Sequence, residues 1–239
     1  MTQAVHAAGG RIFLQLWHVG RVTHTDKREP GSLGVAQSAI AARARIHTLA
    51  GMQPAPTPHA LNASEISRTF ADYACAARDA FAAGLDGVEI HGGNGSLIDQ
   101  YLHSRSNVST DARGGSAENR SRFLWQVCEA CIAAIRGERV GVPLSPFGVF
   151  DDVDDPDSVG LFAMEIGGLE HLASADLHVV RSEASGDRSA SARVAWPAAA
   201  VFARTHFSST LLVTRGFDAA SAEELLARGE ADLIGFGLN

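Results

Sequence analysis

Six short apolar runs, each separated from the next by enough chain to turn back on itself, set the tightest limit on what this sequence can fold into. They are RIFLQLW (11–17), DGVEIH (86–91), RVGVPLS (139–145), ADLHVV (175–180), TLLVT (210–214) and ADLIGFG (231–237). Between them the apolar spacing predicts helices over 64–84, 115–137, 157–173, 192–205 and 218–229, the third weakened by paired glycines and the fourth bent at Pro197. The first of these has a serine at its start and glycine as its stop. Strands alternating with helices imply a parallel sheet covered by helices, because each right-handed crossover must return the chain to begin the next strand. Polar residues choose between an open sheet and a closed one. Gln15, Trp17, His91, Asn94, Ser145, Arg215, Gly216 and Gly237 all fall at or just past strand C-termini, and a (β/α)8 (TIM) barrel gathers those ends at one mouth. A dinucleotide-binding sheet would carry G-x-G-x-x-G after its first strand, and that is absent. The expected fold is therefore α/β, an incomplete TIM barrel with about six of eight strands. Residues 1–239 form one domain, and 22–62 a long loop excursion over the mouth. RIFLQLW and DLIGFG are left as unpaired edges that invite association.

Composition narrows the partners. Twenty basic against 27 acidic residues give a net charge of −7, so no broad basic face exists to track nucleic-acid phosphates. Lys27 is the one lysine and lies in a polar loop, which argues against Schiff-base chemistry. Three cysteines make no disulfide framework. Cys128 and Cys131 sit mid-helix on one face and read as small core residues rather than a redox pair, which would open a helix. The start lacks a basic flank before an apolar core, and no apolar run approaches membrane-spanning length. A cytoplasmic protein with no membrane partner and no metal is expected, acting on a small molecule.

The stretch HGGNGSLIDQYL (91–102) raises the functional question. Taken alone, a histidine after a strand is more often structural, Trp17 would be core, and glycines at 92, 93 and 95 can simply permit a tight turn. In GGSAENR, Ser116 suits a helix cap and Glu118 the positive end of its dipole, with Arg120 and Arg122 as anchors.

The surrounding motifs shift that balance. FLQLWHVGR (13–21), SAI (38–40), AGLDGVEIHGGNGSLIDQYL (83–102), SNVSTDARGGSAENRSRF (106–123), RVGVPLSP (139–146) and GEADLIGFG (229–237) together resemble the old yellow enzyme family of FMN-dependent ene-reductases, nearest its N-ethylmaleimide reductase branch. The resemblance implies a TIM barrel holding FMN at its mouth. NAD(P)H serves as hydride donor, and an α,β-unsaturated carbonyl compound has its C=C bond reduced. It makes His91 and Asn94 the catalytic pair that hydrogen-bonds the substrate carbonyl, Trp17 a substrate wall, and Gln15 a contact to the flavin ring. Two donors aimed at one oxygen would stabilise the enolate charge that grows as hydride arrives.

The sequence also departs from the family pattern. Ser96 stands where the family has a proton-donating tyrosine, and a serine hydroxyl is shorter and a far weaker acid; Tyr101 is a conceivable substitute. Pro143 replaces an arginine that contacts the ring and also deletes a ladder donor. At the phosphate end, Arg215 and Gly216 stand for paired glycines, and Gly237 with Leu238 for a glycine–arginine pair. Aligned with the family, the chain lacks two initial strands and the C-terminal end. Two alternatives accompany the reductase reading: a noncatalytic truncated remnant, and a flavin-free barrel binding a phosphorylated ligand through Arg215 and the last two strand ends. Oligomeric state is not legible.

Overall fold

The computed structural model describes residues 1–148, 150, 152–172, 174–181 and 198–237. A short helix α1 (Thr2–Ala7) leads into β1 (Phe13–Leu16). The segment that follows holds two small sheets of its own: β2 (Val35–Ala36) pairs in parallel with β5 (His59–Ala60), and β3 (Arg45–Thr48) forms a hairpin with β4 (Gly51–Pro54). The main alternation then runs α2 (Ala63–Ala82), β6 (Gly87–Ile90), α3 (Leu97–Leu102), α4 (Ala117–Ile135), β7 (Val140–Leu144), α5 (Ser158–His171), β8 (Asp176–Val180), α6 (Ala199–His206), β9 (Thr210–Thr214), α7 (Ala219–Ala227) and β10 (Leu233–Gly235). One parallel sheet takes its strands in the order β1-β6-β7-β8-β9-β10. Apart from the excursion strands, neighbours in sequence are neighbours in space, the arrangement of a barrel wall.

The two-residue period of the strands divides the sheet into two chemical faces. Leu16, Val88, Ile90, Val140, Val142, Leu144, Leu177, Val179, Leu211 and Val213 point one way and are buried, packed beneath α2, α4, α5 and α6. Gln15, Glu89, His178 and Thr214 point the other way. Cys128 and Cys131 are buried in α4 within the same core. Burial raises the Cys131 thiol to about 12, which keeps it unreactive.

Helix boundaries follow from caps. The first long helix starts slightly earlier than its serine suggested. Asn62 is the cap, with Oδ1 accepting from the Ser64 and Glu65 amides while the Glu65 carboxylate returns to the Asn62 amide. Ser116 caps α4 by accepting from Asn119 N, and Glu118 lies in its first turn. Residues 192–197 of the expected fourth crossover helix, with Pro197, lie outside the described residues; α6 begins at Ala199. Among the described residues β1 and β10 have no outer neighbour. Phe13, Leu14, Leu233 and Phe236 are accordingly exposed, whereas every residue of central β7 is buried.

Candidate active site

Because the six strands are parallel, Trp17, the 91–96 loop, Ser145, Arg215–Gly216 and Gly237 follow C-terminal ends on one side of the sheet. The 91–96 loop is wedged between two strand ends. His91 N donates to Leu16 O at 3.1 Å, and Gly92 N donates to Pro143 O at 2.9 Å. The glycine at 93 is required by space, since a Cβ there would overlap Ser145 Oγ. Asn94 then turns left-handed (φ 54°), followed by Gly95 (φ 74°), a conformation asparagine tolerates better than most residues.

This turn carries both members of the predicted pair. The His91 imidazole is buried, its Nδ1 has no partner, and its ring meets the Trp17 indole edge to face at 6.1 Å. Trp17 is 67% exposed and so belongs to the rim, not the core. Ser145 Oγ donates to Asn94 Oδ1 at 2.8 Å, which leaves the amide NH2 of Asn94 to donate elsewhere. Burial lowers the His91 pKa, opposed by the charges of Asp99 and Glu89, so the ring is a neutral hydrogen-bond donor at neutral pH.

Gln15 lies lower on the same inner face, donating from Nε2 to Glu89 Oε2 at 2.8 Å. Glu89 Oε1 accepts from His178 Nδ1 at 2.9 Å, and His178 Nε2 meets Thr214 Oγ1 at 2.8 Å. The bridge from β6 to β8 crosses β7, whose inward positions are Gly141 and Pro143 and carry no polar side chain. Burial raises the Glu89 pKa, but the bond and charge of His178 and the bond from Gln15 outweigh it, and Glu89 is held below the usual carboxylate range.

The remaining candidates are placed differently. Ser96 is buried, with its hydroxyl turned inward to Gly93 O at 2.8 Å. Tyr101 is buried and stacked on Phe123 at 3.7 Å, and burial raises its phenol further, so it does not reach the mouth. Arg120 ties α4 to the site loops through Leu102 O at 2.5 Å and Asp155 at 2.8 Å, while Arg122 pairs with Glu118 on the surface. Arg215 (φ 83°) and Gly216 (φ 74°) form an exposed turn past β9. Gly237 is exposed past β10, with open space where a side chain would stand.

Three structural residues were not singled out from sequence. Asp99 Oδ2 accepts from Gly95 N at 2.7 Å; Gln100 Nε2 donates to Gly95 O at 2.7 Å and Val19 O at 3.0 Å; Arg21 is buried, its guanidinium on Asp152 at 3.0 Å. Polar residues inside the helical pattern LIDQYL were the available signal. A separate cavity of 590 Å³ opens between α4 and α5, lined by Trp125, Met164, Gly168 and Leu172 among others. It lies in the helical layer, whereas the convergent polar groups lie at the strand ends. Among the described residues no helix is long and apolar enough to cross a membrane, and no group of three potential metal ligands occurs.

A parallel wall of six strands, with polar and aromatic side chains gathered at their C-terminal ends, is the architecture of a barrel mouth. All 239 residues match the model of the NADH:flavin oxidoreductase / NADH oxidase family, and the chain belongs to that family, the old yellow enzymes. It is 41% identical to a probable flavin mononucleotide-dependent alkene reductase of Leishmania infantum, over 99% of this chain and 64% of the relative. The old yellow enzyme homologue from Zymomonas mobilis superposes with a TM-score of 0.90 at 38% identity, covering 99% of this chain and 65% of that one. Morphinone reductase in complex with tetrahydroNAD superposes at 0.87 with 35% identity, covering 99% and 64%. The chain thus spans somewhat under two thirds of the length of the relatives it matches.

Proposed function

We propose that this chain carries the substrate- and flavin-facing wall of an FMN-dependent, NAD(P)H-consuming reductase of α,β-unsaturated carbonyl compounds. The observation that carries this reading is one strand-end loop with the His91 ring packed edge to face on rim Trp17 and Asn94 held by Ser145 through its oxygen, leaving its NH2 to donate. The relatives' names supply the class of chemistry, and the single domain with residues 22–62 over the mouth belongs to the same proposal. Contacts of that excursion with loops beyond the strand ends support it: Ser38 Oγ accepts from Val108 N at 3.1 Å, and Gln37 reaches Asp111 at 3.5 Å.

The residues present suit FMN at both ends. Gln15, His91 and Trp17 offer polar and aromatic groups for a planar ring, and the exposed Arg215–Gly216 turn with open Gly237 offers a cation and accessible backbone for a phosphate. Bound there, FMN would pass hydride from NAD(P)H to the β-carbon of the substrate. His91 and Asn94 would orient the substrate by its carbonyl oxygen and stabilise the charge that develops on it. Trp17 would shield one side of the substrate from water. The proton for the α-carbon would come from solvent, because the Ser96 hydroxyl donates inward to Gly93 O.

That last observation favours a particular kinetic pattern: with FMN bound, the half-reaction with NAD(P)H would be faster than the half-reaction with the enone, one NAD(P)H being oxidised for each C=C bond reduced. The test is to purify the chain, assay FMN released on denaturation, and follow anaerobic NADH and NADPH oxidation with and without cyclohexenone. Near-stoichiometric flavin with enone-dependent oxidation supports the reading. A cooperatively folded, colourless protein that takes up no added FMN rejects it, and binding of a phosphate ester by such a protein would favour the flavin-free alternative.

A further inference from the structure

The inner polar row contains a constraint on what the mouth can recognise. A carboxylate only accepts hydrogen bonds, so the Gln15 amide must turn its NH2 toward Glu89 and keep its Oε1 outward. No partner for that Oε1 is found among the described residues. Glu89 is itself fixed on its second oxygen by His178, whose far nitrogen rests on Thr214. The groups facing Glu89 are thus Gln15 and His178 in contact, with the His91 ring and the Asp176 carboxyl near enough to influence it. We propose that Glu89 and His178 are positioning residues that lock Gln15 with its carbonyl oxygen toward the mouth, so that this strand end selects a ligand presenting an N–H donor there. The imide edge of a flavin ring is such a group, and this extension rests on the flavin reading above.

The row spans the mouth from β1 to β9 because Gly141 and Pro143 leave the middle strand bare on this face. An unlocked glutamine would accept or donate equally well, and the selectivity would vanish. His178 contributes by keeping Glu89 charged despite its burial. A neutral Glu89 carries its own O–H and no longer dictates which end of the amide it meets.

The test compares two ligands that differ in one proton: FMN, and FMN methylated on its ring imide nitrogen, each titrated by flavin fluorescence into the full chain. The wild type should favour FMN by about tenfold or more, the worth of one buried hydrogen bond. Glu89→Gln should bring the ratio to within about twofold while leaving the thermal melt cooperative. Undiminished discrimination in Glu89→Gln overturns the proposal. A second measurement needs neither flavin nor that variant. In the ligand-free wild type, the Gln15 side-chain amide, assigned by its loss in Gln15→Ala, should have one of its two protons shifted downfield of the free-amide position and protected from exchange with water, the mark of its bond to the Glu89 carboxylate. Two protons at the free-amide positions with no protection overturn the proposal; the shifted, protected proton in a chain that binds neither flavin upholds the lock and rejects the flavin reading instead.

Discussion

At the scale of single residues, the site separates atoms that are available from atoms already committed. Asn94 has its oxygen occupied by Ser145 and its NH2 open, and the His91 ring of the same loop stands against rim Trp17. Replacing either with alanine should lower enone turnover by about 10²-fold or more while the circular dichroism spectrum is unchanged; equal turnover would remove the pair from catalysis. Ser96 is the opposite case. Its hydroxyl serves Gly93 O and, at 3.3 Å, His91 O. Ser96→Ala should therefore cost about 1 kcal/mol in denaturant unfolding with enone turnover unaltered. A fall in turnover larger than the fall in stability would show that the hydroxyl donates a proton after all. The sequence made Ser96 legible as a departure from pattern, but not that it faces inward, because that depends on which backbone carbonyls the 91–96 turn brings under it.

Among elements, α5 against α4 gives the sharpest expectation. Gly168 lies so close to the Trp125 indole that an added methyl would overlap the ring, and Trp125 Nε1 donates to Glu165 O at 3.4 Å. Gly168→Ala, despite its better helix propensity, should destabilise by about 1–3 kcal/mol through overpacking; an unchanged or higher melting temperature would contradict this. Of the paired glycines that weaken the 157–173 pattern, Gly168 is thus a packing requirement. The six barrel strands and their crossover helices were legible because apolar period and glycine stops are local signals. The β3–β4 hairpin and the β2–β5 pair were not. RIHT and GMQP are short and half polar, and their pairing rests on backbone bonds and on Arg45 reaching Met52 O, which no periodicity announces. Asn62 likewise outranked Ser64 as a cap because the reciprocal Glu65 contact depends on a spacing of three residues.

For the whole molecule, two global properties follow from burial and its absence. Glu165 is fully buried with neither oxygen partnered, and burial raises its pKa well above the usual value; the neighbouring charge of Asp99 adds to this and Arg120 opposes it. The folded chain therefore holds a proton that the unfolded chain releases, and stability falls as pH rises from the ordinary carboxylate range. Asp176, raised to about 6 chiefly by burial, adds to the fall below that pH. Glu165→Gln should flatten the decline above pH ~6, which for one group is at most about 1.4 kcal/mol per pH unit; an unchanged slope in urea melts would assign the decline to other groups. The exposed apolar edges predict concentration-dependent association, measurable by light scattering and reduced by Leu233→Lys, whereas a chain monomeric at every concentration would refute it. Gln15, which anchors the polar row, also belongs to the least supported strand, β1. Any guest that grips Gln15 would act as a splint on a loose margin, and amide exchange along residues 13–16 should slow when the mouth is filled, even though the guest never touches most of those residues.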